Sequence, residues 1–123
     1  MIVGIGIDIV ESSRLRADQI APGFLQRILH PDEYAYILRT GENQASSAAA
    51  RFAAKEAFGK ALGTGIRGFS LQDVRVSHDR DGRPVIEMEE HVRKLCRSRG
   101  GRHIHLSISH ERHYASAVVI IEG

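Results

Sequence analysis

Apolar and polar positions alternate through MIVGIGIDIV, residues 1–10, which reads as a strand. Its period of two places Val3, Ile5, Ile7 and Ile9 on one face and Gly4, Gly6 and Asp8 on the other. The β-branched face is expected to be buried. Two glycines weaken a strand, so their presence predicts that something approaches the backbone closely. Asp8, beside them, either holds a metal or caps the turn at Ser12-Ser13. Ser12 or Ser13 is placed to cap a short helix that Pro22-Gly23 ends. GFLQRIL and PDEYAYILR then carry helical spacing. The second has Pro31 near its first turn, Asp32 and Glu33 at the positive end of its dipole, and Gly41 as its stop.

The longest helical pattern runs from about Gln44 to Leu62. VRVSH and RPVIEM flank DRDG, whose Asp-Gly pair tolerates positive φ and predicts a hairpin. HVRKLCRS reads as a helix, and RHIHLSISH and YASAVVIIE as strands joined by a short polar turn at Glu111-Arg112. The order of strand, helices, strands, helix and strands predicts an α+β domain spanning residues 1–123. In it an antiparallel sheet packs against the long central helix.

That central helix contains RFAAKEAFGKALGTG, residues 51–65. At 100° per residue, Ala50, Ala53, Ala54, Ala57, Phe58, Ala61 and Leu62 share one broad arc of small residues suited to close packing. The opposite arc places Arg51 and Lys55 on one side, Glu56 and Lys60 on the other, and Gly59 between them. A solvated Glu56–Lys60 pair is worth only ~0.3–0.5 kcal/mol. Gly59 in a helix interior costs about 1 kcal/mol relative to alanine, which a solvated face does not repay. Phe52 also sits on this arc. The arc is therefore expected to meet a ligand. GTGIRG follows as a flexible loop able to bring backbone N–H groups to phosphate oxygens, although it lacks the order of a P-loop. Three cations, one acid and this loop together fit a polyphosphate held with a divalent ion.

Composition narrows the setting. A net charge of +2 permits acidic partners without selecting one. The chain lacks tryptophan and carries no large basic excess, so no nucleic-acid partner is expected. Cys96 is the only cysteine, which leaves no disulfide framework or cysteine-based zinc cluster. No apolar run nears the roughly 20 residues needed to cross a bilayer. The expectation is a cytoplasmic protein without a membrane partner.

GIGIDIVE, RFAAKEAFGKALGTG and SISHERHYASAVVIIE, in that order, resemble the motifs of the holo-[acyl-carrier-protein] synthases, the short 4′-phosphopantetheinyl transferases. The resemblance implies transfer of 4′-phosphopantetheine from coenzyme A to a serine of an apo acyl carrier protein, with Mg²⁺ as cofactor and adenosine 3′,5′-bisphosphate as by-product. It makes Asp8 and Glu56 the metal-binding carboxylates. The general base is then Glu56 or a metal-bound water. It assigns Arg51, Lys55 and Lys60 to the coenzyme A phosphates, with Lys60 nearest the leaving phosphate. Gly63 and Gly65 would lie against the nucleotide, and the hairpin residues Gly82, Arg83 and Pro84 near the adenosine. Ser107, Ser109 and His110 would contact the 3′-phosphate or the reacting end. Arg14 and Arg27 would form a basic surface for the carrier protein. The resemblance also implies a homotrimer with active sites at subunit boundaries. His30 stands where the family more often carries threonine. Two other readings use the same residues: a metal-dependent phosphoester or pyrophosphate hydrolase, and a non-catalytic coenzyme A or nucleotide-binding module. His103 and His105 share a strand face, but alternation puts His110 on the other, so spacing fixes no zinc site.

Overall fold

The computed structural model describes residues 1–16, 19–40 and 44–123. The expected helix stop at Gly41 lies outside them. The runs rich in valine and isoleucine become β1 (Ile2–Glu11), β4 (His103–His110) and β5 (Tyr114–Glu122). These pair antiparallel in the order β1-β5-β4, with Asp8 opposite Ala117 and Ile7 opposite Val118. β2 (Val74–His78) and β3 (Pro84–Met88) form a separate antiparallel hairpin. Its turn depends on Asp79, whose carboxylate accepts from the N–H groups of Asp81 and Arg83 at 2.9 and 3.0 Å, while Gly82 takes φ +83°. The Asp-Gly signal for a hairpin holds.

The helices are α1 (Phe24–Ile28), α2 (Pro31–Thr40), α3 (Gln44–Leu62) and α4 (Glu90–Ser98). A 3₁₀ turn over Ser12–Leu15 follows β1, and its first position has no side-chain cap. The expected serine cap does not form because the strand continues to Glu11, and the Ser12 N–H donates to the His113 carbonyl at 2.8 Å. At the start of α2, His30 does what a threonine would do. Its Nδ1 accepts from the Asp32 N–H at 3.0 Å, and its own N–H donates to Glu33 Oε1 at 2.9 Å. Glu33 supplies the return bond of a capping box, while the imidazole accepts one position earlier than a capping-box hydroxyl would.

α3 is buried nearly all round and packs chiefly on β1 and β5. Its buried stripe includes Ala57 and Ala61, which lie against Gly6 and Gly4 of β1, and Ala115 and Ala117 of β5 are buried as well. A Cβ on Gly6 would come within 2.7 Å of Ala61 N, and one on Gly4 within 2.8 Å of the Ala61 carbonyl carbon. The two glycines are thus explained by helix contact.

This inverts the expected orientation of β1. Val3, Ile5, Ile7 and Ile9 are 42, 60, 62 and 62% exposed, while Gly6 and Val10 are buried. The outward apolar surface continues over β5, where Ile120 and Val118 lie opposite Ile5 and Ile7. Alternation determines which residues share a face, and the depth at which α3 docks determines which face is inner. An alanine-lined helix seats closely only on the side without side chains.

Candidate active site

The close seating of α3 on β1 brings Asp8 next to the polar edge of the helix. Lys60 Nζ donates to Asp8 Oδ1 at 3.2 Å and to the Ile7 carbonyl at 2.9 Å. Lys60 therefore reaches across to the strand, where a pairing with Glu56 was the simpler expectation. Asp8 does not cap the Ser12-Ser13 turn. Glu56 is half-buried, and its carboxyl is pushed above the usual range by burial, then by the charge of Asp8, with Lys60 opposing. Two carboxylates and one ammonium thus share a small region at which β1 and α3 meet. No group of three histidine, cysteine or acidic side chains gathers as a metal site among the described residues. The donor set is a pair of hard oxygen ligands with open neighbours.

The other flank of the helix differs from expectation. Lys55 is 0% exposed, and its ammonium donates to Glu33 Oε1 at 2.5 Å, Ile28 O at 2.8 Å and Leu71 O at 3.0 Å. All three donors of the ammonium are engaged inside the protein, so Lys55 is not placed to meet a phosphate. Its role is to tie α3 to α1, α2 and the segment before β2. Burial lowers the Lys55 pKa, and Glu33 opposes that shift. Arg51 is buried against the same carboxylate, with Nε 3.8 Å from Glu33 Oε2, and its guanidinium lies 5.0 Å from the Tyr36 ring centre.

Arg51 also lines a groove of about 760 Å³ with Tyr36, Ser47, His78, Pro84, His110 and Arg112. The groove brings together Arg51, Pro84 and His110 from three separate motifs. Tyr36, Ser47 and His78 are additions that sequence reasoning missed, and only their register in α2, α3 and β2 places them there. Arg83 is exposed in the hairpin turn. Ser107 and Ser109 lie on the exposed outer face of β4, opposite Val118 and Ser116 of β5, whereas His110 belongs to the groove. Strand alternation separates the two serines from the histidine.

Gly59 and the glycine loop also take a structural explanation. A Cβ at Gly59 would lie 2.6 Å from the Gly65 carbonyl carbon. The N–H groups of Gly63 and Gly65 donate to the Gly59 carbonyl at 3.1 and 3.0 Å, closing the end of α3 with positive φ at both glycines. Those N–H groups face the helix terminus instead of an anion. Phe52, the other anomaly of the polar arc, packs edge-on against Phe24 of α1 with ring centres 6.3 Å apart. Beside it Arg14, Leu15, Ile20 and Ala21 line a shallow hollow, and the Arg27 guanidinium sits 5.8 Å from the Phe24 ring centre.

Along α3, Lys60 lies nine residues beyond Arg51, roughly 13 Å farther along the axis and on the opposite side of the helix. The carboxylate pair and the groove therefore lie apart within one chain. The whole chain follows known sequences closely. Residues 4–119 match the 4′-phosphopantetheinyl transferase superfamily. A holo-[acyl-carrier-protein] synthase of Treponema denticola is 49% identical over 123 residues, the full length of both chains. The crystal structure of the synthase of Neisseria meningitidis superposes with a TM-score of 0.92 at 37% identity, covering 100% of each chain. That of Bacillus anthracis, in complex with coenzyme A (3′,5′-ADP), gives a TM-score of 0.81 at 37% identity, covering 98% of this chain and 96% of its own. The chain belongs to the holo-[acyl-carrier-protein] synthase family of 4′-phosphopantetheinyl transferases.

Proposed function

We propose that the chain transfers the 4′-phosphopantetheine group of coenzyme A to a serine hydroxyl of an apo acyl carrier protein, and that it works in the cytoplasm as a single-domain subunit of a homotrimer. The names of the full-length relatives support the reaction, as does the coenzyme A in the Bacillus anthracis structure. Among the described residues no helix is long and apolar enough to cross a membrane. The observation that carries the reading is the meeting of Asp8 with Glu56 and Lys60, which leaves two carboxylates with one exposed ammonium between them.

Asp8 and Glu56 fit Mg²⁺, which takes one or two carboxylates and completes its shell with water and phosphate oxygens. Burial first of all, and then the charge of Asp8, push the Glu56 carboxyl above its ordinary range, with Lys60 opposing. Bound there, the ion would supply charge neutralisation to the pyrophosphate, with Asp8 and Glu56 holding it. The serine oxygen attacks the phosphorus nearest the pantetheine, and the bond from that phosphorus to the bridging oxygen breaks. Adenosine 3′,5′-bisphosphate leaves with the bond electrons. The serine proton passes to the Glu56 carboxylate, directly or through a water that Glu56 orients. Lys60 stabilises the charge that accumulates on the leaving phosphate.

Arg51, His110 and Pro84 line the groove for the phosphate and adenosine end of coenzyme A, with Arg83 exposed in the adjoining hairpin turn and Gly63 and Gly65 ordering the end of α3. Ser107 and Ser109 face outward with Ile5, Ile7 and Ile9. They would meet coenzyme A only where a neighbouring subunit covers that face. The trimer explains both the uncovered apolar sheet and the separation of the half-sites. The acidic pair of one protomer and the groove of another then complete one site. Arg14 and Arg27, beside the hollow at Phe24 and Phe52, offer a basic and apolar landing for the acidic carrier protein. Rim charges of this kind speed association and lose influence as salt rises.

The reading is tested with Asp8→Ala and Glu56→Gln. Each is expected to retain the circular dichroism of the parent and to lose nearly all transfer from coenzyme A to carrier protein. Near-normal rates in either would refute the carboxylate assignment.

A further inference from the structure

Buried arginines ordinarily meet a carboxylate face to face, through two parallel hydrogen bonds. Arg51 does not. Glu33 is the only acid at hand in the described ion pairs, and its two oxygens already accept from other donors. Oε1 accepts from Lys55 Nζ at 2.5 Å and from the His30 N–H at 2.9 Å, and Oε2 accepts from the Val76 N–H at 2.8 Å. Arg51 Nε is left 3.8 Å from Oε2, buried and without a hydrogen-bond partner. One carboxylate therefore answers two cations, and the cluster holds one positive charge more than it can neutralise. Burial lowers the pKa of Arg51 first of all, with Glu33 only partly opposing. Because Lys55 is fully enclosed, the excess is presented by Arg51, on the lining of the groove.

Two contacts fix where that charge points. Arg51 Nη1 donates to Ser47 Oγ, one turn earlier on α3, at 2.7 Å. The guanidinium also lies over the ring of Tyr36, 5.0 Å from its centre, a cation–π contact made from α2. Tyr36 is partly exposed and lines the groove beside Arg51.

We propose that Tyr36 is a positioning residue for Arg51: its ring holds the under-neutralised guanidinium toward the groove, so that a ligand phosphate supplies the partner that Glu33 withholds. This rests on the assignment of Arg51 to the phosphates of coenzyme A. Tyr36 acts through the arginine, and its effect disappears when the arginine is absent.

Calorimetric titration of adenosine 3′,5′-bisphosphate into the intact oligomer tests this in wild type, Arg51→Ala, Tyr36→Leu, Tyr36→Phe and the double variant Arg51→Ala/Tyr36→Leu. Tyr36→Leu is expected to weaken binding roughly 3- to 30-fold, the range of a cation–π contact, without altering the melting temperature by more than a few degrees. Tyr36→Phe, which keeps the ring, restores wild-type affinity. In the Arg51→Ala background, Tyr36→Leu adds nothing, because coupled residues fail to add. A merely structural tyrosine would change the folded fraction and leave the dissociation constant unmoved. Wild-type affinity in Tyr36→Leu overturns the proposal, and so does an equal loss with or without Arg51. Wild-type affinity in Arg51→Ala overturns the groove assignment itself, and this inference with it.

Discussion

Substituting Gly6→Ala tests the contact on which the acidic pair depends. The added methyl would stand 2.7 Å from Ala61 N and 2.9 Å from the Ala57 carbonyl carbon, and closer still to the Ala57 oxygen. Comfortable carbon contacts lie at about 3.5–4.0 Å, so β1 and α3 must part by roughly 1 Å. Every clashing atom is helix backbone, which cannot turn aside as a side chain does. Overpacking by one carbon costs about 1–3 kcal/mol. Alanine returns about 0.4–1 kcal/mol by restricting the unfolded chain. Because the clash is with fixed backbone, the upper half of the overpacking range applies, and the net expectation is a loss of about 1–2.6 kcal/mol, or roughly 3–16 °C in melting temperature for a chain of this size. Asp8 lies two residues farther along the same strand, so separation also pulls it from Glu56 and Lys60. A displacement of about 1 Å in a catalytic group lowers rates by roughly 100-fold. Urea unfolding gives the first quantity, and turnover measured well below the melting transition gives the second. A Gly6→Ala protein with parental stability and turnover would refute the packing argument and the claim that it sets the acidic pair.

Three further outcomes follow from the same geometry. Glu56 has a folded pKa above its unfolded value of about 4.3. Its favourable contribution to stability is thus complete below that value and lost as pH rises through the folded pKa. Without metal at pH 7, Glu56→Gln should therefore melt at or slightly above the parent by calorimetry, although it loses turnover; a clear drop in melting temperature would contradict this. A Mg²⁺ concentration 100 times its dissociation constant should stabilise the parent by about 2.7 kcal/mol. Asp8→Asn should lose most of that gain in a thermal-shift titration, and an undiminished shift would place the ion elsewhere. Ile7→Glu puts a charge into the exposed apolar face, and light scattering should show the proposed trimer falling to monomer with transfer activity lost. A trimer of unchanged mass would mean that another surface assembles the subunits.

The sequence carried most of the local architecture, because local architecture depends on neighbours in the chain. The bounds of α3 and β5 and the Asp-Gly hairpin follow from periodicity and turn chemistry. Strand β1 shows the limit. Its alternation was read correctly, but its inner face depends on how deeply a distant helix docks, and the glycines that permit the docking look weak in a one-dimensional pattern. Gly59 and Phe52 were anomalies whose causes lie outside the helix, in the Gly65 backbone and the Phe24 ring. Lys55 was the hardest case. Its acceptors come from residues 28, 33 and 71, and nothing near position 55 distinguishes a core lysine from a phosphate-binding one. Asp8 and Glu56 were legible together only through the family motifs, since residues 48 apart have no local reason to meet.

The most direct test is to incubate the intact protein with coenzyme A, Mg²⁺ and an apo acyl carrier protein, and to follow the carrier by mass spectrometry. The account predicts a gain of one phosphopantetheine group on a single serine, matched by release of adenosine 3′,5′-bisphosphate and abolished in Glu56→Gln. An unmodified carrier, with the protein folded and the carrier competent for a known transferase, would contradict it. So would release of the nucleotide without a carrier, which is the behaviour of a hydrolase.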